Sequence, residues 1–528
     1  MTETVYGIDL GTTYSAIARV GDLGNTEIIN NFEGNPTTPS VVFFEGDSNI
    51  VVGAEAKRAA LSDPDNVCEL IKREMGTEYK VDFAGQTYTP ESMSALILKE
   101  LVNSANAETG ETVSDVVITV PAYFGAQERE ATRQAGVIAG LNVVGIVTEP
   151  VAAALSIGLR EDEAETIMVY DLGGGTFDTT IMQIDKGRVD VVAVEGNRTL
   201  GGADWDDALL EVVLDKLAND HGVDVDEARH DDEFLHEVKE QIEDAKKVLT
   251  RRTSTSIRCQ WDGSRNTVEL TREAFEEATA HLVSQTVDIS KLTVETAQKK
   301  IPDLKVDRVL LVGGSSRMPM IAEALRDQLG WEAVPTDFDL AVAKGAAIYG
   351  QASIEEVLVT DGDEGAVADK TEKKFYLGGA SSLSVSNVLS RAVGFKFVDP
   401  DEDKEHISFF AHSNDALPLT PDPIEALTIS EGQTAVNLEL YEQAGEVESE
   451  VVEDNRFLKD ASLPFAKPMP KGSAINIQPE ITTEGLIRAR AVDPESGASV
   501  ELEATVSVLS EEDVKEAAKM VSGLTLRS

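Results

Sequence analysis

One short pattern occurs twice in this sequence, and it constrains the fold more than any other feature. Val5-Tyr6-Gly7-Ile8-Asp9-Leu10-Gly11-Thr12-Thr13 leads into an expected strand over 15–20, and Val169-Tyr170-Asp171-Leu172-Gly173-Gly174-Gly175-Thr176 leads into another over 177–184. Each copy reads as strand, Asp-Leu-Gly, small residues, strand: a hairpin whose glycines let backbone N–H groups approach an anion closely. A single copy would be an ordinary tight turn. Two matched copies, 162 residues apart from Asp9 to Asp171, predict two similar lobes facing each other across a cleft. The two aspartates, each at a strand end, are placed to hold a hydrated Mg²⁺ between the hairpins.

The rest of the sequence narrows the class. No G-x-x-x-x-G-K-[ST] and no G-x-G-x-x-G occurs, which excludes a P-loop and a dinucleotide fingerprint. The 528 residues carry 46 Lys+Arg against 95 Asp+Glu, a net charge of −49. A polyanion with no basic stripe speaks against nucleic acid and against an anionic membrane surface. The acidity is general: residues 353 onward hold 34 acids and 15 bases, and the remainder carries the other −30. It reads as a solubility or salt-adapted surface property. Cys68 and Cys259 stand far apart, so neither a disulfide framework nor a zinc site is expected. His230 and His236, six apart, do not suit a metal either. Met1-Thr2-Glu3-Thr4 begins no basic or apolar leader, and no apolar run of about 18 residues occurs. A cytoplasmic protein is expected.

Up to about Ala352, β-branched strands such as 116–120, 167–170 and 309–312 alternate with amphipathic helices such as 126–139, as in an α/β domain. Residues 353–382, with Asp361-Gly362-Asp363-Glu364-Gly365 inside, read as an acidic solvated linker that ends near the apolar Phe375-Tyr376-Leu377. Over 383–509 strict alternation takes over, as in Val436-Asn437-Leu438-Glu439-Leu440, and predicts an all-β sandwich. A short C-terminal helix over 510–528 closes the chain, with Ser510 at its N-cap and Val514, Ala518 and Val521 on one face.

Two further glycine sites extend the cleft. Leu310-Leu311-Val312-Gly313-Gly314-Ser315-Ser316-Arg317 puts paired glycines past a buried strand, where a base or ribose could lie on the backbone with Arg317 stacked over it. Gly201-Gly202 forms a turn suited to terminal phosphates, and Glu243 and Lys246 lie on adjacent faces of one helix.

Taken in order, these motifs resemble the 70-kDa heat-shock chaperone (DnaK-type) family of the actin-like ATPase superfamily. The matches are Gly7 to Ser15, Val120-Pro121-Ala122-Tyr123-Phe124, Glu149-Pro150 with Ala152 to Leu155, Asp171 to Asp178, and Gly313 to Pro319. The resemblance implies a two-lobed ATPase over 1–352 and a peptide-binding β domain over 383–509. It implies ATP/ADP and Mg²⁺ as cofactors, with K⁺ as the monovalent ion. Lys72 matches the catalytic lysine; Glu149 and Asp171 match carboxylates that, with Asp9, position Mg²⁺ and the attacking water. Thr12, Thr13 and Tyr14 match the first phosphate loop, and Gly173, Gly174 and Gly175 the second. Thr176 and Asp178 match the threonine beside the γ-phosphate and the aspartate at the monovalent ion. Glu243, Lys246, Thr250, Gly313, Gly314, Arg317 and Asp339 match the adenosine pocket, and Pro121 and Arg129 the pair that relays nucleotide state. Val436 is the candidate for the peptide groove.

The sequence also departs from the family. Where the family has an arginine and an asparagine before Glu-Pro, this chain has Gly145 and Thr148, and Gly379 replaces an aspartate after the apolar linker residues. This puts stimulation by a J-domain partner in question, although a nucleotide-exchange factor remains an expected partner. A single helix follows the β region, so a long helical lid is not expected. The leading reading is an ATP-driven, lidless chaperone that binds unfolded or extended polypeptides weakly, with fast exchange. The alternative is an ATP-sensing adaptor or co-chaperone whose β domain docks one partner. A small-molecule kinase is a distant third, because it has no use for the β region.

Overall fold

The computed structural model describes residues 4–527, apart from 22, 47, 61, 158–163, 186–187, 361–373, 377–381, 400–403, 446, 483–484 and 505–508. Both copies of the repeated pattern fold as hairpins, each at the centre of its own sheet. In lobe I, Tyr6–Asp9 pairs antiparallel with Tyr14–Val20 and parallel with Asp115–Val120. The sheet continues to Asn142–Thr148 on one side and Thr26–Ile29 on the other. In lobe II, Glu165–Leu172 likewise pairs antiparallel with Phe177–Asp185 and parallel with Arg308–Val312. The two lobes therefore share a sheet plan as well as a sequence pattern.

Parallel strands buried on both faces need near-continuous apolar sequence, and Val116-Val117-Ile118 and Ile167-Met168-Val169 supply it at 0% exposure. Between the lobes the helices Glu149–Ser156 and Ala341–Thr360 cross at small residues. Gly345 lies so close to the Ala152 carbonyl, and Gly7 to the Ala347 amide, that neither position has room for a Cβ. This crossing joins the two sheets through one shared apolar cluster that includes Val5, Ala152, Val169, Leu310 and Ala346.

Beyond Ala352 the described ends of the segment read as a linker hold regular structure. The last interlobe helix runs to Thr360, because Ile354-Glu355-Glu356-Val357-Leu358-Val359 contains no breaker before Gly362. Lys374–Tyr376 pairs antiparallel with Ser382–Ser386, which adds in parallel to Arg188–Asn197 of lobe II. Asp361 to Gly365, and Leu377, Gly378 and Gly379, lie outside the described residues.

From Val393 onward the chain forms two four-stranded sheets, one built on Val393–Asp399 and Gln433–Gln443, the other on Ala474–Ile481 and Ile487–Val492. Alternating side chains, among them Val393, Phe395, Leu440, Ile475, Ile477 and Ile487, meet in one core. The helix Glu511–Gly523 starts at an N-cap Ser510 closed by a capping box with Asp513. Among the described residues no helix is long and apolar enough to cross a membrane.

Candidate active site

The two Asp-Leu-Gly turns meet face to face. A Cβ on Gly175 would lie 2.6 Å from Thr12 Cγ2, and Gly174 abuts Thr13 just as closely. Gly201 is pressed on Gly175, with only 2.5 Å between its would-be Cβ and the Gly175 Cα. Gly202 and Ala203 open the helix Gly202–His221, and their amides donate to the carbonyls of Gly173 (2.9 Å) and Gly174 (2.7 Å). Three glycine turns from two lobes thus converge around one point. Arg73, to which sequence reasoning assigned no role, locks the second turn by donating twice to the Gly175 carbonyl, at 3.0 and 2.8 Å.

Charge collects at the same point. Lys72 sits on the one-turn helix Ile71–Glu74, 5% exposed, with Nζ 2.6 Å from Glu149 Oε1. Its Nζ also lies 5.9 Å from the Phe124 ring centroid. Asp9 accepts from Thr119 Oγ1 at 3.2 Å. Burial, reinforced by the Glu149 charge, pushes the Asp9 carboxyl up to about 7. Asp171 and Asp178 are cross-strand partners. Burial raises both well above the carboxylate range, and the neighbouring carboxylates raise them further. Asp178 Oδ1 is buried without a hydrogen-bond partner.

Three buried carboxylates, Glu149, Asp171 and Asp178, and the half-buried Asp9 face one buried lysine, a set of hard oxygen donors short of positive charge that suits Mg²⁺ or another hard cation. Among the described residues no three such groups converge closely enough to ligate a metal directly.

The outer wall of the cleft holds the other predicted residues. Tyr14 donates to Glu243 Oε1 at 2.9 Å. Lys57 of lobe I and Lys247 of lobe II both pair with Glu243. Against its burial, these lysines pull the Glu243 carboxyl down to about 2. The Lys57–Glu243 pair bridges the lobes, and nothing in the local sequence singles Lys57 out. Lys246 donates to Asp206 (2.7 Å) and to the Gly202 carbonyl (2.9 Å). Thr250 is the C-cap of that helix, with its hydroxyl donated to Lys246 O at 2.9 Å. Gly313, at φ 81°, opens the turn Gly314–Arg317 in a conformation that favours glycine. Arg317 pairs with Asp339 at 2.6 Å and stacks 4.4 Å over the Phe338 ring, so its guanidinium plane is already oriented beside Gly314.

The comparison with known families settles what this arrangement belongs to. The family profile described as Hsp70 protein matches residues 5–84 and 78–362. The chain belongs to the Hsp70 family. Hsp70 proteins are ATPases of the actin-like superfamily and ATP-dependent chaperones of unfolded polypeptides. The match ends at residue 362, and the two four-stranded sheets follow it.

Of the remaining candidates, Pro121 and Arg129 lie on the segment of lobe I that meets those sheets. Pro121 is buried and its carbonyl accepts from Phe124 N at 3.2 Å. The Phe124 carbonyl takes Arg129 Nε at 2.9 Å and Ser390 Oγ at 2.8 Å. Gly145 is buried against the Tyr349 ring, 3.3 Å from a would-be Cβ, which leaves no room for an arginine in that direction. Val436 lies apart from all of these, partly buried on the core of the two sheets.

Proposed function

We propose that this Hsp70 protein hydrolyses ATP in the cleft between its lobes and couples nucleotide state to the binding of extended polypeptides by its β sheets. The observation that carries the reading is the direct contact of the Thr12–Thr13 and Gly174–Gly175 turns, with the Lys72–Glu149 pair beside them. Phosphoryl transfer needs positioning and charge neutralisation more than a covalent nucleophile. The amides of Thr12 and Thr13 in one turn and of Gly174 and Gly175 in the other are suited to cradle the phosphates. Asp9 and Asp171 would hold Mg²⁺, which would supply charge neutralisation. Lys72 brings its ammonium to the transferred phosphate, and Glu149 orients that lysine and the attacking water. Thr176 sits beside the γ-phosphate, and the unpartnered Asp178 Oδ1 suits K⁺. Arg317, Asp339, Glu243, Lys246, Thr250 and the Gly313–Gly314 turn line the adenosine side.

Coupling runs through the segment Pro121–Phe124. The Phe124 ring lies near Lys72, while the Phe124 carbonyl joins Arg129 to Ser390, which stands where the β sheets begin. The following helix, Glu511–Gly523, packs on lobe I, which favours open, fast-exchanging peptide binding around Val436. Gly145 leaves the usual J-domain arginine without a counterpart.

The test is fluorescence anisotropy of a labelled apolar peptide. ATP should change the signal with the wild-type chain, and the change should vanish in Lys72→Ala. ATP turnover with no peptide response would instead support the adaptor reading.

A further inference from the structure

The segment that follows the β sheets is bound to lobe I by more than a helix face. Leu509, Val521 and Leu524, at 8%, 1% and 8% exposure, belong to the apolar core of lobe I together with Phe44, Ile50 and Leu96. Val514, Ala517, Met520 and Leu526 pack on the same cluster. Gln134 Nε2 donates to the Leu509 carbonyl at 3.2 Å. Lys99 Nζ donates to the Val521 carbonyl at 3.1 Å, near the helix C-terminus where a cation is favourable. Beyond the helix, Thr525–Arg527 adds a parallel strand to Asn49–Val52, in register Thr525↔Asn49, Leu526↔Ile50 and Arg527↔Val51. The Thr525 amide donates to Ser48 O at 3.0 Å, and Arg527 pairs with Glu45 at 2.6 Å.

Strand addition to a sheet edge is a recognition mode in which main-chain bonds give affinity and alternate side chains give specificity. Here Leu526 is the half-buried side chain between the exposed Thr525 and Arg527. Without this segment, Asn49–Val52 would be an open edge beside an uncovered apolar patch.

At the other end, the β sheets are entered through Ser382–Ser386. That strand is held on lobe II by three residue pairs and by the hydrogen bond from Ser386 to Asp190. The sheets are therefore anchored to lobe II at their entry and to lobe I at their exit. The exit anchor combines a helix, a strand and three buried apolar side chains, so it is the stronger one.

We propose that residues 509–527 are a standing clasp. The seat formed by the Asn49–Val52 edge and the helices Pro90–Thr109 and Ala126–Ile138 takes this helix–strand segment of the same chain in every nucleotide state. When the entry strand leaves lobe II, the β sheets stay tethered to lobe I and swing with it. The clasp does not depend on the chemistry assigned to the cleft, and ATP turnover measured alongside reports on that chemistry separately.

Hydrogen exchange on the full chain, with no nucleotide, with ADP and with ATP, tests this. The amides of Asn49–Val52 and Thr525–Arg527 should keep the same protection, within about twofold, in all three states. Thr525→Pro, which removes the amide donated to Ser48, and Leu526→Asp should each raise exchange at Asn49–Val52 at least tenfold. Both should also raise exchange at the contact of residues 124–129 with 390–392. Loss of wild-type protection at Asn49–Val52 on changing nucleotide would overturn the proposal. So would variants that expose the edge but leave the 124–129 contact as protected as before, since the strand would then be a passive cap.

Discussion

Lys72 pairs directly with Glu149 amid the carboxylates of Asp9, Asp171 and Asp178, and both partners are largely withdrawn from water. An ammonium held that way is fixed in direction, which is what stabilising charge on a transferring phosphate requires. Lys72→Ala should lower ATP turnover roughly 100- to 1000-fold, as read from phosphate release under saturating ATP. Lys57 acts on a different step. Its pair with Glu243 crosses the mouth of the cleft, with the two side chains 27% and 19% exposed. Solvent-exposed pairs are worth up to about 1 kcal/mol and this one is more sheltered, so Lys57→Ala should speed release of a fluorescent ADP analogue about fivefold or more, with turnover chemistry intact. The contrast shows what a sequence can disclose at this scale. Asp9, Gly174 and Gly175 were legible because a backbone turn demands a fixed local pattern. Arg73 and Lys57 were not, because a long side chain reaching another lobe leaves no mark on its neighbours in sequence.

At the scale of one element, the helix Pro90–Thr109 combines two demands. It begins with a capping box between Thr89 and Ser92, and it is buried along most of its length. Among its buried positions is Glu100, 5% exposed, with Oε2 lacking a partner. Burial alone pushes its carboxyl from 4.5 up to about 7. The sign follows directly. Below 4.5 the group is protonated in both folded and unfolded chains and costs nothing. As pH rises from 4.5 to 7, the unfolded chain releases the proton that the folded one retains, and stability falls by about 3 kcal/mol before levelling off. Glu100→Gln should therefore match wild type in melting temperature near pH 5 and exceed it increasingly up to about pH 7. A constant difference across thermal melts from pH 5 to 8 would rule this out. Apolar periodicity marks such a helix, but a glutamate on its buried side reads as surface until the packing is seen. The same limit applied to residues 354–360, where weak periodicity resembled a linker although every residue tolerated helix.

For the whole molecule, the decisive contact is one carboxylate shared by three parts of the chain. Glu128 Oε1 lies 3.2 Å from Arg198 of lobe II, 2.9 Å from Arg391 and 3.1 Å from Arg456 of the β sheets. Alongside it, Glu442 Oε1 of the sheets accepts from the Ala126 amide at 3.2 Å. Burial disfavours the Glu128 charge, yet Arg391, Arg456 and Arg198 outweigh it and hold the carboxyl below its ordinary value. The contact therefore gains stability above the ordinary carboxylate pKa and loses it only as pH falls through the lowered folded value. No motif signals this cluster, since residues 128, 198, 391 and 456 share no local pattern and meet only because both lobes and the sheets are folded. In a chain of net charge −49, three arginines gathered on one acid are an unusual concentration of positive charge. Replacing that acid leaves three guanidiniums with Glu442 as the neighbouring carboxylate. Breaking a buried pair by removing one partner costs about 3–5 kcal/mol, more than a marginal interdomain contact can lose and remain closed. Glu128→Gln should therefore release the β sheets from the face of lobe I that carries Ala126–Ile138, while each part stays folded and the clasp on Asn49–Val52 holds. Small-angle scattering should then show a larger radius of gyration at pH 7, and hydrogen exchange should rise at residues 124–129 and 390–392 but stay unchanged at Asn49–Val52. An unchanged radius together with unchanged exchange at 124–129 would mean that packing around Phe124 and Ser390, not the shared carboxylate, holds the parts together.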